Sequence, residues 1–327
     1  MALGKVLVTA RSVAGSAAAL RVMRDAGCEV LVENTPFPFD KEWLLAQVRD
    51  VDGLIVAMEP LTGRVLDAAP RLKVIARPGV GHDTVDLAAA TRLGIAVTIA
   101  AGANDQSVAD FTMGLLLASA RGITDAACSV QHHGWERTVG TEVWRKTLAV
   151  VGLGRIGRNV ARRARGFDMR VLAVSRHPDQ DFATQHGVEF VTLQRALAEA
   201  DFVSLHLPLT ADTENLIDEH ALAAMKRGAY LINTSRGGLV DEAALAVAVR
   251  SGHLAGAAVD VLRVQGERSP SLLIGVPGIL VTPHMASFSR ESMECVATSA
   301  AQSIVAVLKG ERPTGLVNPE AYAQRND

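Results

Sequence analysis

Arg236 and His284 are the residues whose type and setting could do chemistry on a small carboxylic acid. Arg236 ends the run Leu231-Ile232-Asn233-Thr234-Ser235-Arg236, and two glycines, Gly237 and Gly238, follow it. An arginine just past a strand's C-terminal end sits where doubly wound sheets bind ligands. Its planar fork suits a carboxylate, alone or together with a neighbouring carbonyl. A phosphate clamp and a purely structural arginine are the competing readings. His284 follows Val281-Thr282-Pro283, again just beyond a run that reads as a strand and that proline ends. A lone histidine is more often structural than catalytic. One placed with Arg236 beyond strand ends could protonate or deprotonate a hydroxyl near neutral pH.

A second constellation points to a phosphate-bearing partner. In Val150-Val151-Gly152-Leu153-Gly154-Arg155-Ile156-Gly157 a buried strand turns through three glycines into a helix. The first glycine makes the tight turn, the second lets backbone approach a pyrophosphate, and the third lets helix and strand pack closely. The free N–H groups and positive dipole end of that helix favour a bound phosphate. The run then leads to a second strand, Met169 to Val174, which is the context a dinucleotide site requires. In sites that prefer NAD, an acidic residue about 20 positions on binds the ribose hydroxyls. Here the strand is followed by Ser175-Arg176-His177, without a carboxylate. A hydroxyl and a guanidinium can hold a 2′-phosphate by charge-assisted hydrogen bonds, so NADP(H) is favoured and NAD(H) remains possible. His177 could assist or simply be exposed.

These residues need a scaffold of strand ends, and the rest of the chain reads as one. At 327 residues the length suggests two domains, each with its own core. Short apolar runs alternate with helical stretches. One series of strands is Lys5–Ala10, Glu29–Glu33, Gly53–Ala57, Lys73–Ala76 and Ile95–Ile99. A second is Thr147–Val151, Met169–Val174, Phe202–His206, Ala229–Asn233, Ala257–Asp260 and Ile279–Thr282. Continuous Val/Ile/Leu runs mean parallel strands buried on both faces, and two series mean two doubly wound α/β units. Asp105–Ala120 reads as a long apolar helix capped by Asn104 or Asp105, with Phe111, Leu115 and Leu116 in the core. After it, Arg121–Arg145 reads as an irregular excursion that serves an interface or a site. Trp135 and Trp144 there suit an interface or a core better than a substrate.

Several classes of function are disfavoured. With 33 basic and 35 acidic residues and no charged run, nothing advertises nucleic acid. Cys28, Cys128 and Cys295 fit neither a disulfide framework nor a zinc set, which makes a reducing cytosol the default. No signal peptide or membrane span is expected, so the reading is a cytoplasmic protein. His132 and His133 are adjacent and cannot form an i, i+4 metal pair, and no metal is expected. Glu59, at the end of a strand in Ala57-Met58-Glu59-Pro60, faces either a cleft or solvent.

Read together, GLGRIG, HLPLTADT at His206–Thr213, NTSRGGLVDE, GAAVDV at Gly256–Val261 and TPH resemble the D-2-hydroxyacid dehydrogenases. That family includes phosphoglycerate dehydrogenases and glyoxylate/hydroxypyruvate reductases. The likeness extends upstream to ARPGVGHDTVD at Ala76–Asp86 and to GANDQSVADFTMGLLLASAR at Gly102–Arg121. It implies a flavodoxin-like substrate domain, 1–103 with 291–327, and an inserted Rossmann dinucleotide-binding domain, 104–290. A dimerisation arm at about 121–145 would make a homodimer. The resemblance also implies that Arg236 binds substrate carboxylate and carbonyl and that His284 acts as acid and base on the hydroxyl. Val80 and Gly81 would hold the carboxylate by their backbone, and Asn104 would line the cleft. Gly152, Gly154, Arg155, Ile156, Gly157, Ser175, Arg176, Leu207, Pro208, Thr234, Ser235 and Asp260 would hold the cofactor, Asp260 near the nicotinamide amide.

One position departs from the family. Its histidine normally pairs with a glutamate five residues after the aspartate of the DV motif and about nineteen before the histidine. Both counts land on Gln265, and Glu267 lies two positions later. A carboxylate raises the pKa of a neighbouring imidazolium, whereas an amide can only orient the ring. Three readings follow: catalysis with an uncharged Gln265 partner, Glu267 taking the role through a reshaped loop, or different chemistry. The leading expectation is an NADPH-linked reductase of a small 2-keto acid such as glyoxylate or hydroxypyruvate, with oxidation of a sugar acid as a variant. The rival class is a cofactor-sensing, corepressor-like binding protein on the same scaffold.

Overall fold

The computed structural model describes residues 3–33 and 41–323, and its backbone divides into two compact units, 1–104 with 288–327 and 105–287. The first unit holds five parallel strands, β1 (Gly4–Val8), β2 (Cys28–Val32), β3 (Gly53–Ile55), β4 (Val74–Arg77) and β5 (Ala96–Ile99), in the order β2-β1-β3-β4-β5. That is the flavodoxin-like order, with its switch point between β1 and β3. Side chains alternate between faces along each strand. Val6 and Val8 therefore join a core with Ala19, Met23, Ala301 and Ile304, while Leu7 joins Leu54, Leu66 and Ile75 on the other face. The helix Arg290–Leu308 covers the first of these faces.

The second unit has seven parallel strands. They are β6 (Thr147–Val151), β7 (Arg170–Val174), β8 (Val188–Phe190), β9 (Phe202–Leu205), β10 (Tyr230–Asn233), β11 (Gly256–Val259) and β12 (Ile279–Val281). Their order, β12-β11-β10-β9-β6-β7-β8, is the dinucleotide-binding topology with one added edge strand. The two-sided burial expected of such strands is present in β6. Leu148 and Val150 pack with Val171, Ile232 and the helix Asp105–Arg121, while Ala149 and Val151 pack with Leu205, Leu231 and the helix Glu242–Arg250. The two-unit α/β architecture read from the sequence is the architecture found.

Two local readings differ. β8 is absent from the expected strands, because this three-residue edge strand, with Glu189 at its centre, carries too short an apolar signal. The excursion Arg121–Arg145 is not wholly irregular, since Ile123–Gln131 forms a helix. Gly122, in the left-handed region at φ 59°, ends the preceding helix and starts this one. None of its residues is buried, so its apolar positions face no core within the chain. Among the described residues no helix is long and apolar enough to cross a membrane.

Candidate active site

The glycine loop joins the C-terminal end of β6 to the helix Arg155–Ala164, beside the end of β9 at the switch point of the second sheet. Gly152 lies at φ 101°, where a Cβ would strike the His206 carbonyl. A Cβ on Gly157 would strike the Gly152 carbonyl, so this glycine lets the helix close on its strand. A Cβ on Gly154 would meet nothing within 4 Å. The first and third glycines are required by protein packing, whereas the second faces open space, as a backbone approached by a pyrophosphate should. Arg155 is exposed and Ile156 half-buried at the helix start. These residues fit a bound dinucleotide.

Ser175 and Arg176 leave the end of β7. The Ser175 hydroxyl is 3.3 Å from the His177 N–H and 3.1 Å from the His177 carbonyl, which ties the turn. Arg176 is exposed, and its nearest anion is Asp212, at 3.3 Å from the loop beyond β9. In that loop Leu207 is half-buried and Pro208 exposed, and the Pro208 carbonyl accepts the Thr213 hydroxyl at 2.7 Å. Beneath it His206 pairs through Nε2 with the Ser204 hydroxyl at 2.8 Å. Burial pushes its imidazole down to about 4, so it is a neutral structural ring at the switch point.

Arg236 is set by the turn that follows β10. Asn233, almost wholly buried, accepts the Ser235 N–H at 3.0 Å and donates to the Arg236 carbonyl at 2.8 Å. The Ser235 hydroxyl donates to the Leu205 carbonyl at 2.7 Å, and Thr234 pairs with the Thr112 hydroxyl at 2.9 Å. Arg236 Nη1 donates to the Ser235 carbonyl at 2.7 Å. Gly237 passes so close to the Leu262–Arg263 backbone that any Cβ would collide with it. The role of Asn233 was not read from the sequence, although an Asn closing a strand before Ser is the signature of a side chain that braces its own turn.

His284 sits beyond β12 with φ 52°, a left-handed conformation uncommon for a residue with a side chain. Asp260, 1% exposed, imposes it. Its backbone carbonyl accepts the His284 N–H at 2.8 Å. Oδ1 accepts the Thr282 hydroxyl at 2.6 Å and the Met285 N–H at 2.9 Å, and Oδ2 accepts the Ala286 N–H at 2.8 Å. A carboxylate offers about four acceptor positions, so about one remains beyond this loop. His284 Nδ1 lies 2.7 Å from Gln265 Oε1, whereas Glu267 is exposed. An amide oxygen only accepts, so this contact is a hydrogen bond when the imidazole proton is on Nδ1. Burial holds the His284 imidazole below its ordinary range; the Asp260 charge opposes this and the Arg236 charge adds to it. The second unit thus brings Arg236, Gln265 and His284 together around adjacent strand ends.

In the first unit Val80 and Gly81 are half-buried beyond β4, and Arg77 Nε donates to the Gly81 carbonyl at 3.2 Å. Asn104 is buried, and its Oδ1 has no hydrogen-bond partner. Glu59 is 1% exposed, which excludes the solvent-facing reading. Its carboxylate instead takes the Thr9 hydroxyl and, at 2.7 Å, the Ala57 N–H across the β1/β3 switch point. Trp135 is 74% exposed and Trp144 53%, so neither is a core aromatic of this chain. Among the described residues no group of three or more His, Cys, Asp or Glu side chains could hold a metal ion.

Comparison with known proteins accords with this geometry. Residues 113–286 match the family described as D-isomer specific 2-hydroxyacid dehydrogenase, NAD binding domain. The chain is 39% identical over 295 residues to a glyoxylate reductase of Korarchaeum cryptofilum, covering 88% of this chain and 89% of that one. It is 43% identical over 282 residues to a D-3-phosphoglycerate dehydrogenase of Mycobacterium leprae, covering 85% of this chain but 53% of the relative. It therefore spans about half the length of that dehydrogenase. The crystal structure of the TT0316 protein from Thermus thermophilus superposes with a TM-score of 0.88 at 40% identity, covering 96% of this chain and 99% of that one.

Proposed function

Because the chain belongs to the D-isomer specific 2-hydroxyacid dehydrogenase family, we propose that it is an NADPH-linked reductase of a small 2-keto acid, glyoxylate or hydroxypyruvate. Membership carries the reaction type, an oxidoreductase acting on a CH–OH group with a nicotinamide cofactor. The observation that supports the specific reading is the cluster of Arg236, His284 and Gln265 at the C-terminal ends of β10, β11 and β12, where doubly wound sheets bind ligands.

In this reading Arg236 clamps the substrate carboxylate and polarises the keto carbonyl. His284, its Nδ1 proton held by Gln265, donates a proton from Nε2 to the oxygen that becomes the hydroxyl. In the reverse direction the same nitrogen takes that proton up. Gly152, Gly154, Arg155, Ile156, Gly157, Leu207, Pro208, Thr234 and Ser235 would hold the dinucleotide, with Ser175 and Arg176 on a 2′-phosphate. The remaining acceptor position of Asp260 suits the nicotinamide amide. The bound nicotinamide supplies hydride in reduction and accepts it in oxidation. Val80, Gly81 and Asn104 keep the substrate role that the family resemblance implies. NADPH consumption with a panel of 2-keto acids tests the proposal. Turnover of glyoxylate or hydroxypyruvate should fall by about a hundredfold or more in Arg236→Ala. Rates across the panel no higher than in that variant would overturn it and favour a cofactor-sensing binding protein.

A further inference from the structure

Gln265 lies on the connection from β11 to β12, residues 260–278, which contains no helix or strand. A carboxylate beside an imidazolium is drawn into place by charge, whereas an amide has only a directional hydrogen bond that weakens steeply when misaligned. Something other than Gln265 must therefore hold its oxygen at His284. One side chain reaches the segment on both sides of Gln265. Glu242 opens the helix Glu242–Arg250, six residues after Arg236. Its Oε1 accepts the backbone N–H of Arg263 at 2.7 Å, and its Oε2 accepts the Ser271 hydroxyl at 2.6 Å. The two contacts bracket Gln265. Between them the Ser269 hydroxyl donates to the Val264 carbonyl at 2.5 Å and the Ser269 N–H to the Gly266 carbonyl at 3.2 Å, folding the span on itself. At its base the Arg263 guanidinium meets Glu214 at 2.9 Å and also Asn215, while Gly237 packs against Leu262 and Arg263.

We infer that Glu242 is a positioning residue for the reaction: by strapping Arg263 and Ser271 it seats the Gln265 amide on His284 Nδ1 and fixes the imidazole tautomer. It joins the Arg236 turn and the Gln265 connection through one carboxylate. This inference rests on His284 being the acid and base of the proposed reaction, but the seating itself can be read without turnover. The test is Glu242→Ala with Glu242→Gln as its conservative partner, in the full chain. A glutamine retains one oxygen for the Arg263 N–H, and its amide can donate to the Ser271 hydroxyl, which also accepts.

Nitrogen-15 NMR of the His284 ring should report a single Nδ1-protonated tautomer in the native protein and in Glu242→Gln, and a tautomer mixture in Glu242→Ala. With a 2-keto acid, Glu242→Ala should lower kcat about tenfold with KM unchanged, and Glu242→Gln should restore it. In a Gln265→Ala background the Glu242→Ala substitution should cost nothing further. A native tautomer in Glu242→Ala, or full additivity with Gln265→Ala, would overturn the inference. Should Glu242→Ala fail to fold, Ser271→Ala, which frees one strap alone, carries the same readouts. If the native protein turns over no 2-keto acid yet the tautomer shifts as described, the seating stands and only the proposed reaction fails.

Discussion

At His284 the proton inventory is set by an amide. Gln265 fixes which nitrogen holds the resting proton, but it adds no charge to stabilise the imidazolium, and burial already disfavours that form. The imidazole thus has a lower pKa than one beside a carboxylate: it is a weaker base, and its protonated form persists only to a lower pH. Reduction needs it protonated, so the reduction rate should fall as pH rises through the His284 pKa, while oxidation should rise over the same range. Gln265→Glu places an opposite charge against the ring and should move both limbs upward by about one unit or more. An unchanged pH profile in that variant, with Glu267→Ala inactive, would move the partner's role to Glu267. Asp260 is the other residue that acts at this scale. It spends most of its acceptor capacity on the Thr282–Ala286 turn, which holds His284 at positive φ.

The elements that matter are turns at strand ends. Gly152 and Gly157 are packed against backbone and tolerate no side chain, whereas Gly154 faces open space, so one loop holds both packed and open glycines. The turn beyond β7 carries the proposed preference for NADPH. Arg176 pairs with Asp212, but both side chains are exposed, and such a pair contributes about 0–1 kcal/mol. A 2′-phosphate bearing up to two negative charges, with oxygens that can accept from a guanidinium fork, would compete successfully for Arg176. Arg176→Ala should therefore lower kcat/KM for NADPH by about tenfold or more while leaving NADH within about twofold. An equal loss with both cofactors would assign Arg176 to the fold or to the shared part of the dinucleotide.

On the scale of the whole molecule, the segment 121–145 stands apart because most of its apolar residues, though not the buried Val143, are outside. Ile123, Val130, Trp135 and Val139 are each more than half exposed, and Ala126, Val130 and Trp135 line one hollow with Glu136 and Arg137. Exposed apolar surface of this kind is costly in water unless it is covered. A second copy of the chain is the proposed cover, in keeping with the dimerisation arm expected from the family resemblance. Val130→Glu should convert a dimer to a monomer in sedimentation velocity at micromolar concentration, without loss of helical circular dichroism. A native protein that sediments as a monomer would remove this assignment.

The glycine spacing, the continuous Val/Ile runs and the Arg236 and His284 settings were legible because each is local, and backbone sterics or strand burial tie residue type to position within a few neighbours. The two parallel sheets follow from those runs almost without tertiary information. Other features depend on residues far apart in sequence. Glu59 reads as cleft or solvent from its neighbours, and only the approach of Thr9 at the switch point turns it inward. Ile123–Gln131 shows no amphipathic pattern that the chain itself buries, so its helix was not evident. The sequence could narrow the partner of His284 to Gln265 or Glu267. It took the packing of Glu242 against Arg263 and Ser271, 21 and 29 residues away, to put Gln265 on the ring and Glu267 in solvent. The sequence by itself determined which chemical groups stand at the strand ends, because those positions are set by short-range geometry. The tertiary structure alone decided which of them touch, because hydrogen bonds reach about 3 Å in space whatever the distance along the chain.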